Sequence, residues 1–107
     1  MAGWSKMGSN PEGLPPTPTE FLQLQFLESE LSLGETFLVT ARIAIDSVHL
    51  EHAAQAIQHA HDAVAAIHRF VGQVSSPEQQ AQIMERVAQL EDAVARVEAA
   101  YKNKQND

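Results

Sequence analysis

The sequence predicts an all-α protein, an antiparallel up-down-up bundle of three helices. Two helix-start signals, at Thr17 and at Ser76, and an apolar seam near the carboxyl end indicate this fold. In both signals a hydroxyl residue that can cap a helix precedes proline, and glutamate follows within three residues. The predicted bundle spans residues 17–103, between an N-terminal arm over 1–16 and a frayed tail over 104–107.

The N-terminal arm differs from the rest of the chain in composition. Four of the five prolines and three of the five glycines lie within the first 18 residues. Such a stretch has too little apolar surface to offset the entropy that is lost when a chain becomes ordered. We therefore expect residues 1–16 to be flexible.

The first two helices must be separated by a turn without the usual turn formers. Residues 35–71 contain neither glycine nor proline. Asp46 and Ser47 are the best candidates, because both residue types compete for backbone hydrogen bonds. A turn there gives helices of about 29, 24 and 26 residues, and such similar lengths favour an antiparallel bundle. The alternative is a break near Gly34, which gives four shorter helices.

The end of the second helix and the whole of the last have clear signals. Gly72 suits the end of the second helix, and Ser76 suits the N-cap of the last. The last helix then has one apolar side, with spacings of four and three residues in alternation. The residues of this seam are Ile83, Val87, Leu90, Val94, Val97 and Tyr101.

The first two helices carry more apolar residues than a single buried row needs. The first helix has two apolar sides, one of them made of Leu22, Phe26, Leu33, Phe37, Ala44 and Val48. The second helix has a seven-residue repeat of large residues and, on another side, a shallower row that is rich in alanine. We expect the surplus to form an interaction face. Its predicted residues are Leu24, Leu27, Leu31, Leu38, Ile45, Ala56, Ala63 and Phe70.

Five histidines raise the question of a metal site. Histidines seven residues apart on a helix are separated by about 10.5 Å along the axis, too far to share one ion. His59 and His61, two residues apart, point to opposite sides of the helix, so only His49 and His52 could share an ion, with Asp46 as a third candidate ligand. Surface histidines on a solvated helix are the simpler interpretation, and we expect neither a metal nor another cofactor.

Glu30 lies within the apolar stripe of the first helix. A carboxylate in that position must pair, shift its pKa or reach solvent. If it pairs, the expected partner is His61 or His68, at the margin of the second helix's core row. The simpler interpretation is a glutamate that lies at an end of the bundle or specifies the register of its helices. No nucleophile or glycine-rich phosphate loop accompanies this pair in the sequence, so it gives little support for catalysis.

Composition excludes several classes of function. The 107-residue chain has 7 Lys and Arg against 14 Asp and Glu, a formal net charge of −7, and it has no cysteine. An acidic chain is a poor partner for nucleic acid or an anionic membrane surface. Without cysteine there is no disulfide, thiolate metal site or cysteine nucleophile. No apolar run approaches the roughly 18 residues of a membrane span. We expect a cytoplasmic protein that binds neither nucleic acid nor membrane.

Residues 34–67 show a pattern of large and small positions around the predicted turn. Phe37 and Ile57 stand at large positions, and Ala41, Ala53 and Ala60 stand at small ones. In this the segment resembles the helical hairpin of tetratricopeptide repeats or of microtubule-interacting-and-trafficking domains. The resemblance implies a groove between helices that accepts a peptide or a helix.

The sequence thus predicts a non-enzymatic helical module for protein interaction or self-assembly. Docking of a helix into a groove uses apolar anchors at helical spacing, which the interaction face supplies. We expect the partner to be a second copy of the chain or a helix of another protein. Two alternatives remain: a histidine-based metal-binding or phosphotransfer protein, and a small accessory subunit of a larger complex.

Overall fold

A computed structural model describes residues 18–106, which form three helices. Helix α1 covers Pro18–Asp46, α2 covers Leu50–Val71 and α3 covers Pro77–Gln105, with 29, 22 and 29 residues. Each helix packs against both others, so the prediction of an all-α three-helix bundle is confirmed. The arm predicted over residues 1–16, and the Thr17 cap, lie outside the described residues. None of the three helices combines the length and the apolarity that crossing a bilayer requires.

The core is built from one heptad-spaced row on each helix. Every buried side chain among residues 18–106 is apolar. The α3 row follows the predicted seam, with only Tyr101 partly exposed. The largest side chains that are fully buried are Leu27, Leu31, Ile67 and Val87.

The alternative break near Gly34 is wrong, because α1 runs through this position without interruption. Gly34 is buried where α1 faces α3, and a Cβ atom there would lie 2.7 Å from Leu90 Cδ2. Real Cβ atoms do not approach other atoms that closely. Glycine at this position therefore allows close packing of two helices and does not end one.

The turn between α1 and α2 is made where it was predicted, immediately after Asp46. The Val48 N–H donates to the Ile45 carbonyl at 3.0 Å, and the His49 N–H donates to the Ala44 carbonyl at 2.8 Å. This pair of bonds is the Schellman arrangement that closes many helices. In this motif one residue adopts the left-handed backbone conformation, and here that residue is Val48, with a φ of 59°. A β-branched residue is strained there, since its Cβ approaches the next carbonyl.

Replacing Val48 by glycine should raise the free energy of unfolding by about 1 kcal/mol. The valine side chain is 61% exposed, so its loss removes little buried surface, while glycine adopts positive φ without strain. Urea titration followed by circular dichroism at 222 nm measures the change. Ser47→Gly, one residue earlier, is the control and should not stabilise the fold. A destabilised Val48→Gly variant would contradict the backbone described here.

The connection between α2 and α3 matches the prediction from its sequence. Gly72 is the C-cap of α2, and the Ser76 hydroxyl accepts a hydrogen bond from the Gln79 N–H at 3.3 Å at the start of α3. The Gln80 side chain donates to the Val71 carbonyl at 3.1 Å, which satisfies a group at the α2 end. Val74 is buried and anchors the loop to the core. The connection thereby fixes α3 against the other two helices.

Candidate interaction surface

The structure places most of the predicted interaction face inside the bundle. Six of its eight residues are buried, and the other two, Leu24 and Phe70, are partly buried against the core. The row on α1 faces both α2 and α3, since a Cβ atom at Gly34 would lie beside Ala63 of α2 and Leu90 of α3. These side chains therefore form the core and are not available as a free surface on the folded chain. The buried six are Leu27, Leu31, Leu38, Ile45, Ala56 and Ala63.

The apolar side chains that remain accessible belong to the other row of α1. Leu22, Phe26 and Leu33 are 63%, 41% and 44% exposed. Spacings of four and seven residues place them on one side of the helix. Three partly buried apolar residues, Phe37 on α1 and Ala66 and Phe70 on α2, extend this patch from α1 to α2. We call the whole patch the α1–α2 face, and it consists of Leu22, Phe26, Leu33, Phe37, Ala66 and Phe70.

Ring contacts tie the two helices together along this face. The rings of Phe26 and Phe70 meet edge to face, with their centroids 5.5 Å apart. Farther along, the rings of Phe37 and His59 stack at 4.8 Å. Because these contacts fix the orientation of the rings, the face is a pre-organised surface, which lowers the entropy cost of docking a partner.

Other exposed apolar residues do not extend the α1–α2 face. Val39 and Ile43 are 60% and 61% exposed on the same helix. At 100° per residue, Val39 and Ile43 lie about 120° and about 80° around α1 from the row of Leu22, Phe26 and Leu33. Isolated apolar residues on a surface are ordinary and need no functional explanation. Val39 and Ile43 are therefore suitable controls for substitutions in the face.

His61 and His68 of α2 pair with carboxylates of α3 and not with Glu30. His61 Nε2 lies 3.1 Å from a Glu98 carboxylate oxygen, and His68 Nε2 lies 3.2 Å from one of Glu91. The expected partnership with Glu30 is therefore wrong for both. The four side chains are 38–49% exposed, so each contact contributes between about 0 and 1 kcal/mol. A carboxylate beside each ring also opposes the approach of an anionic phosphoryl donor.

The three candidate metal ligands do not share one turn of helix. Helix α1 ends at Asp46, and His49 is the N-cap of α2, with a non-helical backbone (φ −97°, ψ 72°). The rings of His49 and His52 meet edge to face, with their centroids 6.2 Å apart. Within residues 18–106, no group of three His, Asp or Glu side chains is placed to hold a metal ion.

A shallow depression of about 660 Å³ lies beside the start of α1. Its one carboxylate, Glu28, forms an ion pair with Arg86 on α3. Both side chains of this ion pair are at least 40% exposed, so the contact contributes between about 0 and 1 kcal/mol. The depression is lined by Phe21, Leu24, Gln25, Glu28, Ser29 and Gln79.

Comparison with protein-family models, curated proteins and solved structures gives no match to this chain. The likeness of residues 34–67 to a tetratricopeptide-type hairpin thus rests on the sequence pattern alone.

Proposed function

We propose that the protein is a non-enzymatic helical interaction module that docks another apolar helical surface on its α1–α2 face. The observation that supports this proposal is the alignment of Leu22, Phe26 and Leu33, each more than 40% exposed although the core of the bundle is complete without them. Together they expose on the order of 300 Å² of apolar surface, at the low end of the largest patches found on monomers, which are often functional.

The chemistry of the face suits a helix as its ligand. Its anchors repeat at four and seven residues on α1, which is the spacing that a docked helix presents in return. None of its six residues is charged, and the Arg69 guanidinium lies at the edge of the face, 5.9 Å from the centroid of the Phe70 ring. The half-buried rings of Phe37 and Phe70 contribute aromatic contact area beside these anchors.

The accessibility of the α1–α2 face can be tested with anilinonaphthalene sulfonate, a dye that fluoresces on apolar protein surface. We expect the intact chain at low concentration to bind the dye, and Phe26→Ser/Leu33→Ser to lose most of the emission. Val39→Ser/Ile43→Ser removes two exposed apolar residues elsewhere on α1 and should keep it. Circular dichroism confirms that each variant is folded. Equal emission from both variants would contradict the proposal.

A further inference from the structure

We infer that the partner of the α1–α2 face is a second copy of this chain, the two copies being related by a two-fold axis. This inference rests on the proposed function and adds the identity of the partner. In such a pairing the same surface is used on both copies, so the surface must be complementary to itself. The six residues of the face are uncharged and meet that condition, and the charged groups at its margin are one of each sign, Glu30 on α1 and Arg69 over the Phe70 ring on α2.

Charge favours this face over the other surfaces for contact between copies. Each chain has a formal net charge of −7, so two copies repel each other wherever carboxylates come together. Helix α3 carries five acids and four bases outside its apolar seam, so a contact between copies there must match unlike charges, and like charges placed opposite each other in an interface are costly. None of the six residues of the α1–α2 face is ionised. The acids of α3 are Glu78, Glu85, Glu91, Asp92 and Glu98.

The area of the face matches a weak dimer. The smallest specific interfaces bury about 1,200 Å² in total, or about 600 Å² per copy, and roughly 60% of that is apolar. The exposed anchors of α1, with the partly buried residues beside them, supply an apolar area of that order. We therefore expect dissociation in the micromolar range and not an obligate dimer.

The geometry of α1 indicates how the copies meet. The three most exposed anchors are all on α1, whereas Ala66 and Phe70 on α2 are partly buried. The row from Leu22 to Leu33 is centred near Ser29, which is exposed. If the two α1 helices lie antiparallel across each other, the two-fold axis passes near this point. The Ser29 residues of the two copies then face each other.

Sedimentation equilibrium over about 1–500 μM tests the inference on the full chain. The wild type should pass from monomer to dimer in this range, and Phe26→Ser/Leu33→Ser should weaken the association at least about tenfold, because each copy loses two apolar anchors. Val39→Ser/Ile43→Ser should change it less than about twofold. A control that weakens the dimer as much as the face variant would overturn the assignment of this face.

Single cysteines test the arrangement, since the natural chain has none. Under mild oxidation Ser29→Cys should form a disulfide-linked dimer, whereas Val39→Cys, on another side of α1, should remain mostly monomeric. Equal cross-linking of both would overturn the antiparallel arrangement. A chain that stays monomeric at every concentration, while its α1–α2 face binds the dye, would overturn the second copy as partner and leave the proposed function intact. Failure of the dye test itself would count against the proposed function.

Discussion

Leu31→Ala should lower the free energy of unfolding by about 2–5 kcal/mol, because truncating an enclosed leucine removes contacts and leaves a cavity. Leu31 is 1% exposed and sits in the core row of α1. Denaturant unfolding, followed by circular dichroism, measures the loss. The effect should be the same at 1 μM and at 100 μM protein, because the contacts of this residue lie within one chain.

Leu22→Ala is the matched control for Leu31→Ala. It makes the same chemical change on the same helix, but the side chain is 63% exposed, so we expect a change within about 0.5 kcal/mol. Similar losses for the two variants would mean that the two apolar rows of α1 have been assigned to the wrong sides. A Leu31→Ala effect that grows with dilution would place this residue between copies of the chain.

Gly34→Ala should lower the free energy of unfolding by about 1–3 kcal/mol, although alanine is the better helix former by about 1 kcal/mol. The added Cβ would lie 2.7 Å from Leu90 Cδ2 and 3.6 Å from Ala63 Cβ. Leu90 is only 4% exposed, so its side chain cannot move away without disturbing the core. The same unfolding titration measures this change.

A double-mutant cycle separates the steric cost from helix propensity. In a Leu90→Ala background the obstructing methyl groups are gone, so Gly34→Ala should become stabilising by up to about 1 kcal/mol. Gly72→Ala is the control at the end of α2. No atom lies within 4 Å of its Cβ position and its φ is −65°, so alanine should stabilise there by about 0.4–1 kcal/mol. If Gly34→Ala stabilises the wild type, the close approach of α1 and α3 is wrong.

The sequence predicts the fold well where one helix has one apolar side. The single apolar seam on α3 indicates which side of this helix is buried, and Ser76 and Pro77 indicate where the helix begins. Helix α1 has two apolar rows, and periodicity alone cannot tell which of them faces the core. The row of Leu27 and Leu31 is buried because it meets both neighbouring helices, a fact of tertiary packing that local pattern does not contain.

Other features could not be predicted because they depend on residues far apart in the chain. In the sequence Gly34 resembles a helix breaker, whereas in the structure Leu90 of α3 occupies the space that a Cβ atom at this position would need. Val48 in a left-handed conformation runs against the preferences of a β-branched residue. The seven-residue spacing of His61 and His68 excludes a shared metal ion, yet the same spacing aligns both residues with carboxylates on α3.

The most direct test of the account is a two-dimensional amide spectrum of the ¹⁵N-labelled chain, recorded at about 20 μM and at about 1 mM. Docking of two copies through the α1–α2 face predicts concentration-dependent shifts at Leu22, Phe26, Leu33 and Phe70, with little change along the exposed side of α3. Shifts centred on α3, or spectra that are identical at the two concentrations, would contradict it.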